Sequence, residues 1–255
     1  MATLASVGSG VIATDSPTES IRFDRRVRRY VWTGDDPQPL VDAIAADDPD
    51  LAIVRIPTHR AEVLHRLQAV ADEVILGDCL VVYGRDNLRL GPPAAPANPA
   101  FQVRLATAAD LDPLDALVAT SFAGYRNHYE TNPRLGASFD IVSGYREWTR
   151  NHVGTGERRC YLAEVGGVPR GFMTVRVSPG ESEIVLNGVD PAFQGQGVYR
   201  DLLRAVLAQL VAEGSPRTVV STQLDNRPVQ RVWVREGFYL GDSQYTLHLN
   251  RHVQR

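Results

Sequence analysis

Lysine is absent from this sequence of 255 residues, so all 27 basic side chains are arginine and catalysis through a lysine amine is excluded. Only two cysteines occur, Cys79 and Cys160, and neither is part of a metal-binding pattern. We expect buried thiols rather than a disulfide, since both fall in apolar, strand-like runs. The six histidines form no HxH or HExxH arrangement, and we expect no metal site.

Long apolar runs are absent as well, because none approaches the roughly 20 residues that a helix needs to cross a bilayer. We therefore expect no membrane association. A net charge of −3 gives no reason to expect nucleic acid as a partner. The N-terminal segment lacks the basic start and apolar centre of a signal peptide, so a cytoplasmic location is expected. The Ser, Thr, Gly and Asp content of residues 1–18 is typical of a flexible leader.

A proline-rich segment divides the rest of the chain. Residues 91–99 contain four prolines, which fix φ, remove backbone donors and favour an extended linker. We predict an N-terminal α/β half-domain over 19–90, a Pro/Ala linker over 91–100 and a second domain over 101–255. The half-domain elements are predicted as strands at Arg22–Trp32, Leu51–Ile56 and Val74–Tyr83, and helices at Pro37–Ala46 and from an N-cap at Thr58.

The order of elements changes after the linker to one strand, two helices, a meander of strands, a helix, a strand, a helix and a final hairpin. Thr107 is expected to begin the first helix over Ala108–Phe122, and Phe139–Val153 forms the second. Gly166-Gly167 predicts a tight turn between two strands. The nearly continuous apolar run Glu183–Val189 predicts a strand in the sheet centre.

A glycine-containing loop follows this strand. It reads Gln194-Gly195-Gln196-Gly197-Val198-Tyr199, and apolar residues at helical spacing come after it. Glycines at 195 and 197 let the backbone turn tightly and approach a ligand. The helix beyond presents unpaired N–H groups and the positive end of its dipole. Together these features predict an anion site fit for a pyrophosphate.

The loop resembles motif A of the GNAT superfamily of N-acetyltransferases, in which Gln/Arg-x-x-Gly-x-Gly/Ala follows a strand ending in Val-x-Pro. Here Val189-Asp190-Pro191 precedes the loop, and Asn226 and Gly237-Phe238 stand at the spacing of a second GNAT motif. A narrower similarity, at 222–226, at 245–249 and in the N-terminal half-domain, is to dTDP-fucosamine N-acetyltransferases. Those enzymes acetylate a nucleotide-linked amino sugar.

The resemblance implies a GNAT fold, an α/β architecture with a mixed central sheet flanked by helices. It also implies that acetyl-CoA, or another short acyl-CoA, is the cosubstrate, that no metal takes part, and that a small-molecule amine is the acceptor. A monomer and a homodimer both remain open. The implied coenzyme A contacts are Asn187, Gly188, Val189, Gln194, Gly195, Gln196, Gly197, Val198, Tyr199 and Asn226, with Trp233.

Glu183 is the predicted catalytic residue. It lies eleven residues before Gln194, where several GNAT enzymes place a glutamate that acts as general base. The alternative is a charge at the end of a strand, with no part in the chemistry. Glu181 is a weaker substitute.

The tyrosine that protonates the departing thiolate in this family is replaced here by Trp233, whose indole N–H is no practical proton source. Three alternatives remain. Another hydroxyl, such as that of Tyr199, Tyr239 or Tyr245, takes its place. The thiolate leaves without a dedicated acid, since thiols are acidic near a pKa of about 8.5. Or Trp233 shapes a pocket for a larger acyl chain.

The segment between the first two helices of the second domain is the predicted acceptor site, because its side chains suit hydrogen bonding and stacking. Its members are Tyr125, Asn127, His128 and Tyr129. An ordinary surface loop is the alternative, and His128 is a second candidate base. Two rival functions also remain: a GNAT-fold hydrolase or decarboxylase acting on a carrier-bound acyl group, and a non-catalytic acyl-CoA-binding module.

Overall fold

Two units divide the chain in the computed structural model, which describes residues 10–135, 140–154 and 156–251. Each unit is assembled from segments that are distant in sequence. The first comprises Met1–Val81, Arg126–Phe139 and Asp242–Arg255, and the second comprises Val82–Tyr125 and Asp140–Gly241. The predicted division at the proline-rich segment differs from this one, because later parts of the chain return to the first unit.

The first unit is built on a mixed sheet. Strand β1 pairs antiparallel with β2, β2 pairs parallel with β3, and β3 pairs antiparallel with β10, which is followed by β4. Helix α2 packs Leu40 and Ile44, four residues apart, into the core of this sheet. The elements are β1 (Val11–Asp15), α1 (Pro17–Phe23), β2 (Val27–Trp32), α2 (Gln38–Asp47), β3 (Leu51–Pro57), α3 (Val63–Leu67) and parts of β4 (Glu73–Asp86) and β10 (Tyr239–Asn250).

The second unit also contains a mixed sheet, in the order β4-β9-β8-β7-β6-β5. Strands β5 to β8 are antiparallel neighbours, whereas β8 and β9 are parallel. The elements are α4 (Asn87–Leu90), β5 (Phe101–Leu105), α5 (Leu111–Ser121), α6 (Ile141–Arg150), β6 (Arg158–Val165), β7 (Val168–Ser178), β8 (Glu181–Val189), α7 (Val198–Ala212), β9 (Arg217–Gln223) and α8 (Arg227–Arg235). Mixed sheets flanked by helices confirm the predicted fold class.

Local signals account for the elements that agree with prediction. Gly166 and Gly167 have φ values of 58° and 78°, as the tight turn between β6 and β7 requires. Asp110 accepts a hydrogen bond from the backbone N–H of Thr107 at 2.7 Å, at the predicted start of the first helix. That helix begins with a short 3-10 turn before α5.

The N-terminal segment differs from expectation. The predicted leader over 1–18 includes β1, whose β-branched residues pair with β2, while residues 1–9 lie outside the described part. The predicted extended stretch Arg22–Trp32 is wrong over its first residues. Pro17 at the first turn begins helix α1, which continues through Phe23.

Three other predicted elements need correction. The Thr58 hydroxyl lies 2.6 Å from Ser243 Oγ instead of capping a helix, and α3 begins only at Val63. The helix predicted over Phe139–Val153 is α6, which Asp140 caps by accepting from Ser143 N at 3.0 Å; Phe139 lies outside the described residues. The final hairpin is instead the continuous strand β10.

The proline-rich segment is held within the second unit by hydrogen bonds at three points. The buried Arg85 guanidinium donates to the Gly91 carbonyl at 2.9 Å. The Ala95 carbonyl accepts from Arg204 at 3.3 Å, and the Asn98 N–H donates to the Asp201 carboxylate at 2.9 Å. Arg204 and Asp201 on α7, together with Arg85 on β4, therefore hold a segment that carries few backbone donors of its own.

Both cysteines are free thiols. Cys160 is buried, and burial raises the pKa of its thiol to about 12, whereas Cys79 is half-buried. Over residues 10–135, 140–154 and 156–251, no helix combines the length and the hydrophobicity that crossing a bilayer demands.

Candidate functional site

The parallel strands β8 and β9 separate at one end. They pair only over Ser182–Ile184 and Thr218–Val220 in the described residues, although β8 continues to Val189. Strand β8 also carries an irregularity in its pairing with β7 beside Thr174, where the Thr174 hydroxyl bonds the backbone of Leu186. Backbone groups at the end of β8 are therefore free of the β9 ladder and can pair with an extended ligand.

The loop after β8 is held in a defined shape. Asp190 accepts from the Ala192 N–H at 3.0 Å, which closes a 3-10 turn over Pro191–Phe193, and it pairs with Arg170 at 2.9 Å. The Arg170 guanidinium also lies 4.4 Å from the centre of the Phe193 ring. Gln194 continues the loop and donates from its side chain to the Val189 carbonyl at 3.3 Å.

Two glycines then turn the chain into α7. Gly195 and Gly197 have φ values of 75° and 89°, in the left-handed region that other residues rarely adopt. A Cβ at Gly195 would meet nothing within 4 Å, so its backbone conformation, and not crowding, requires glycine there. Gly197 caps α7 without a side chain, which leaves the first N–H groups of the helix to bind an anion.

These features border a cleft of about 620 Å³ within the second unit. Its wall is mainly apolar and aromatic, and two arginines, Arg200 and Arg235, lie on it. The lining residues come from α5, the end of β8, the loop and α8: Ser121, Phe122, Tyr125, Asn187, Gly188, Val189, Phe193, Gln194, Gly195, Gly197, Val198, Tyr199, Arg200, Asn226, Pro228, Val229, Val232 and Arg235. An apolar trough that ends in backbone donors and cations suits a long ligand with an anionic group.

Comparison with known proteins assigns the cleft to a family. Residues 123–238 match the model of the Acetyltransferase (GNAT) family, and this segment contains β8, the loop, α7 and α8. The chain carries a GNAT domain. The match, together with relatives named as acetyltransferases, supports acyl transfer from coenzyme A by this domain.

Similar proteins extend beyond the GNAT domain. The spore coat polysaccharide biosynthesis protein SpsD of Bacillus subtilis is 24% identical, over 80% of this chain and 68% of its own length. A mycothiol acetyltransferase of Nocardioides is 30% identical, but the match covers 35% of this chain and 34% of that protein. In fold, the chain is similar to a GCN5-related N-acetyltransferase from Sphaerobacter thermophilus (TM-score 0.67, 15% identity, 93% of this chain and 75% of that one).

Most residues that the GNAT resemblance nominates for coenzyme A line the cleft. The exceptions are Gln196 and Trp233. Gln196 is exposed, and its side chain donates to the Ala192 carbonyl at 2.9 Å. Asn226 precedes α8 and donates to Thr222 Oγ1 at 2.9 Å, so its amide is oriented within the cleft wall.

Trp233 lies behind the cleft wall of the GNAT domain. Its side chain is buried, its ring packs at 5.4 Å from that of Tyr83, and its indole N–H donates to the Tyr199 hydroxyl at 2.7 Å. Burial raises the pKa of Tyr199 above its ordinary value, and the indole donor opposes this only in part. The Trp233 side chain therefore supports a tyrosine that lines the cleft.

Glu183 is not among the lining residues. It lies four residues before Asn187, about 13 Å along the strand, and forms an ion pair with Arg176 on β7. Glu181 pairs with Arg217 at 3.5 Å, and burial raises the pKa of its carboxyl group. Glu183, the predicted base, therefore lies on β8, the strand that leads into the cleft, and is paired with Arg176 on the neighbouring strand β7.

The predicted acceptor residues fall in different places. Tyr125 lines the cleft, whereas Asn127, His128 and Tyr129 belong to the first unit. There the Asn127 side chain accepts from Tyr129 N at 2.8 Å, and His128 Nδ1 lies 2.7 Å from His248 Nε2. Burial lowers the pKa of His128 well below its usual range, and the neighbouring His248 lowers it further.

Several lining residues were missed from the sequence. Pro228, Val232 and Arg235 recur at intervals of four and three along α8, so helical spacing could have identified this face once the helix was placed. Ser121 and Phe122 end α5 and carried no such signal. Their position depends on the packing of α5 against β8, which local sequence does not encode.

Proposed function

We propose that this protein transfers an acetyl group from acetyl-CoA to the amine of a small molecule, with a nucleotide-linked amino sugar as the leading acceptor class. The observation that carries the proposal is the separation of β8 from β9 beside a glycine loop that opens α7. An extended ligand arm with an anionic end matches both parts of this geometry.

The chain's own residues divide the work of holding acetyl-CoA. Backbone groups of Asn187, Gly188 and Val189 pair with the amide groups of the pantetheine arm, as a neighbouring strand would. Amides of the loop and of the first turn of α7 hold the pyrophosphate. Asn226, fixed by Thr222, contacts the arm from α8. Arg200 and Arg235 supply positive charge at the cleft wall.

The reaction follows from placing the amine beside the thioester. The amine nitrogen bonds to the carbonyl carbon, the carbon–sulfur bond breaks, and its electron pair remains on sulfur. The proton released from nitrogen passes to a base or through water. Holding both reactants in register supplies much of the acceleration. The thiolate needs no dedicated acid, because a thiol pKa is near 8.5 in the ordinary case.

The acceptor class rests on relatives and on the cleft wall. SpsD is named as a spore coat polysaccharide biosynthesis protein, and the Nocardioides relative as a mycothiol acetyltransferase. Tyr125 and Phe122 meet edge to face at 5.4 Å on the cleft, an arrangement that suits stacking against a ring. Asn127, His128 and Tyr129 remain predictions as acceptor contacts.

Calorimetry with acetyl-CoA tests the cofactor claim, and a Kd in the micromolar range is expected. Thiol release with a panel of amines then tests transfer, and thermal stabilisation by nucleotide-linked amino sugars tests the acceptor. Absence of binding at millimolar acetyl-CoA would refute the proposal.

Two outcomes would instead favour the rival functions. Thiol release without any amine would indicate a hydrolase, and release of carbon dioxide without free thiol would indicate a decarboxylase; the presence of Trp233 at the family's tyrosine position allows both. Binding without release of either product would indicate a non-catalytic module. The oligomeric state and the cytoplasmic location stay predictions.

A further inference from the structure

Ser121 is the last residue of α5 and lies against the separated part of β8. A Cβ placed on Gly188 would stand 2.8 Å from Ser121 Cβ and 3.1 Å from its Oγ, so α5 approaches the backbone of β8 as closely as glycine permits. Both Ser121 and Gly188 line the cleft. The hydroxyl is therefore next to the backbone groups that are free of the β9 ladder.

The Ser121 hydroxyl is buried and has no hydrogen-bond partner within the described ranges. Its neighbour behaves differently, because Thr120 Oγ1 donates to the carbonyls of Ala116 and Leu117 at 3.2 and 3.0 Å. Serine near a helix end commonly makes the same bond to its own helix. A buried hydroxyl that makes none carries a desolvation penalty, which a hydrogen bond to a ligand group can relieve.

The chemistry of the cleft selects the ligand group. Phosphates suit the loop and the start of α7, and the arm's amides suit the edge of β8. At the reactive end of the arm the polar acceptor is the neutral carbonyl of the acyl thioester, for which a neutral hydroxyl is a fitting donor. We propose that the Ser121 hydroxyl donates a hydrogen bond to the acyl carbonyl oxygen of the bound thioester.

This role rests on the proposed function and adds a positioning donor to it. When the amine bonds to the carbonyl carbon, negative charge develops on the carbonyl oxygen and strengthens the bond from Ser121. The oxygen returns to a carbonyl as the carbon–sulfur bond breaks, with the electron pair on sulfur. Ser121 keeps its proton throughout, so no further acid or base is required.

The test needs no knowledge of the acceptor. Binding of acetyl-CoA is compared with that of S-ethyl-CoA, a thioether of similar size that lacks the carbonyl oxygen. The wild-type protein is expected to prefer acetyl-CoA by about five-fold, the equivalent of one neutral hydrogen bond. Ser121→Ala should abolish this preference while retaining the wild-type affinity for S-ethyl-CoA. It should also move the infrared carbonyl stretch of bound, carbon-13-labelled acetyl-CoA toward its value in an apolar solvent.

Thr120→Ala is the matched control, because it removes a hydroxyl from the same turn whose partners belong to the helix. Its preference and carbonyl frequency should equal those of the wild type. If Ser121→Ala fails to fold, Ser121→Cys, with a weaker donor of similar size, should reduce the preference. An unchanged preference in a folded Ser121 variant overturns the assignment alone. A wild-type protein that binds neither thioester nor thioether overturns the proposed function instead.

Discussion

The ligand cleft of the second unit and a buried polar cluster of the first unit differ in what their polar groups meet. The end of β8 and the start of α7 line the cleft, beside Ser121, whose buried hydroxyl has no hydrogen-bond partner among the described residues. In the first unit, side chains meet one another instead: His128 bonds His248, Asn132 bonds Asn250, and Asn250 bonds Glu73. The contrast separates groups placed to bind a ligand from groups whose partners lie within the protein.

The donor pattern within this network determines its response to protons. Asn132 donates to His248 Nδ1 at 3.2 Å, which leaves the ring proton on Nε2 and makes His248 the donor to His128. A further proton on either ring would meet another donor. The network therefore requires two neutral histidines, whereas the cleft requires donors directed at an anion.

Acid should affect the first unit most strongly. Burial, with a smaller contribution from Arg29, lowers the pKa of His248 to about 4. Because the unfolded histidine titrates near 6.5, the unfolded chain binds more protons below that pH, and stability is lost as the pH falls from about 6.5 toward 4. The expected loss is about 3 kcal/mol, measured by urea unfolding at pH 7.5 and 4.5.

Fluorine-labelled tryptophan separates the units in this experiment, since Trp32 reports the first and Trp148 and Trp233 the second. His248→Gln should flatten the pH dependence of the Trp32 signal, while His65→Gln, an exposed residue, should leave it unchanged. A Trp32 transition that is equally stable at both pH values would remove the contrast between the units.

Gly197→Ala tests the ligand side of the comparison. Its φ of 89° would strain alanine, and the first amides of α7 would turn away from the ligand. We expect acetyl-CoA affinity to fall about 100-fold, as for two lost charge-assisted hydrogen bonds. Gly166→Ala, at φ 58° in the β6–β7 turn, carries a similar strain and should bind normally. If calorimetry gives the two variants equal affinities for acetyl-CoA, the loop does not take part in binding it.

Glu183→Gln gives the smallest expected effect. This residue combines both behaviours, because its carboxylate is a candidate catalytic group and already has a partner in Arg176. If it accepts the amine proton through water, kcat should fall about ten-fold with little change in the KM for acetyl-CoA. Glu181→Gln, two residues earlier on β8, is the matched control and should retain its rate. Equal rates of thiol release in Glu183→Gln and wild type would show that Glu183 has no part in the chemistry.

Local chemistry explains what the sequence could predict. Gly195 and Gly197 indicate a loop, because their positive φ values favour glycine. Helix α7 is predicted by the spacing of the apolar residues that follow. Asn226 was recognised through its spacing to Gly237-Phe238. These features depend on residues close together in the chain, and the cleft contains nearly all of them.

Contacts between distant segments explain the rest. His128 remains a predicted acceptor contact, but its bond to His248, 120 residues away, had no signal in the local sequence. The bond from Trp233 to Tyr199 joins two residues that are 34 positions apart in the sequence. Similarly, Ser121 and Gly188 come together only when α5 packs on β8, which no single segment encodes.

The fastened proline-rich segment has a consequence for the unfolded chain. Its prolines restrict the conformations open to residues 91–99 before folding, so less entropy is lost when Arg85, Arg204 and Asp201 hold them in place. This segment has almost no buried side chains, yet it adds to stability because its prolines lower the entropy of the unfolded chain. It serves the GNAT domain as a strap, and replacing it with a glycine-rich tether of equal length would weaken the domain without removing a single core residue.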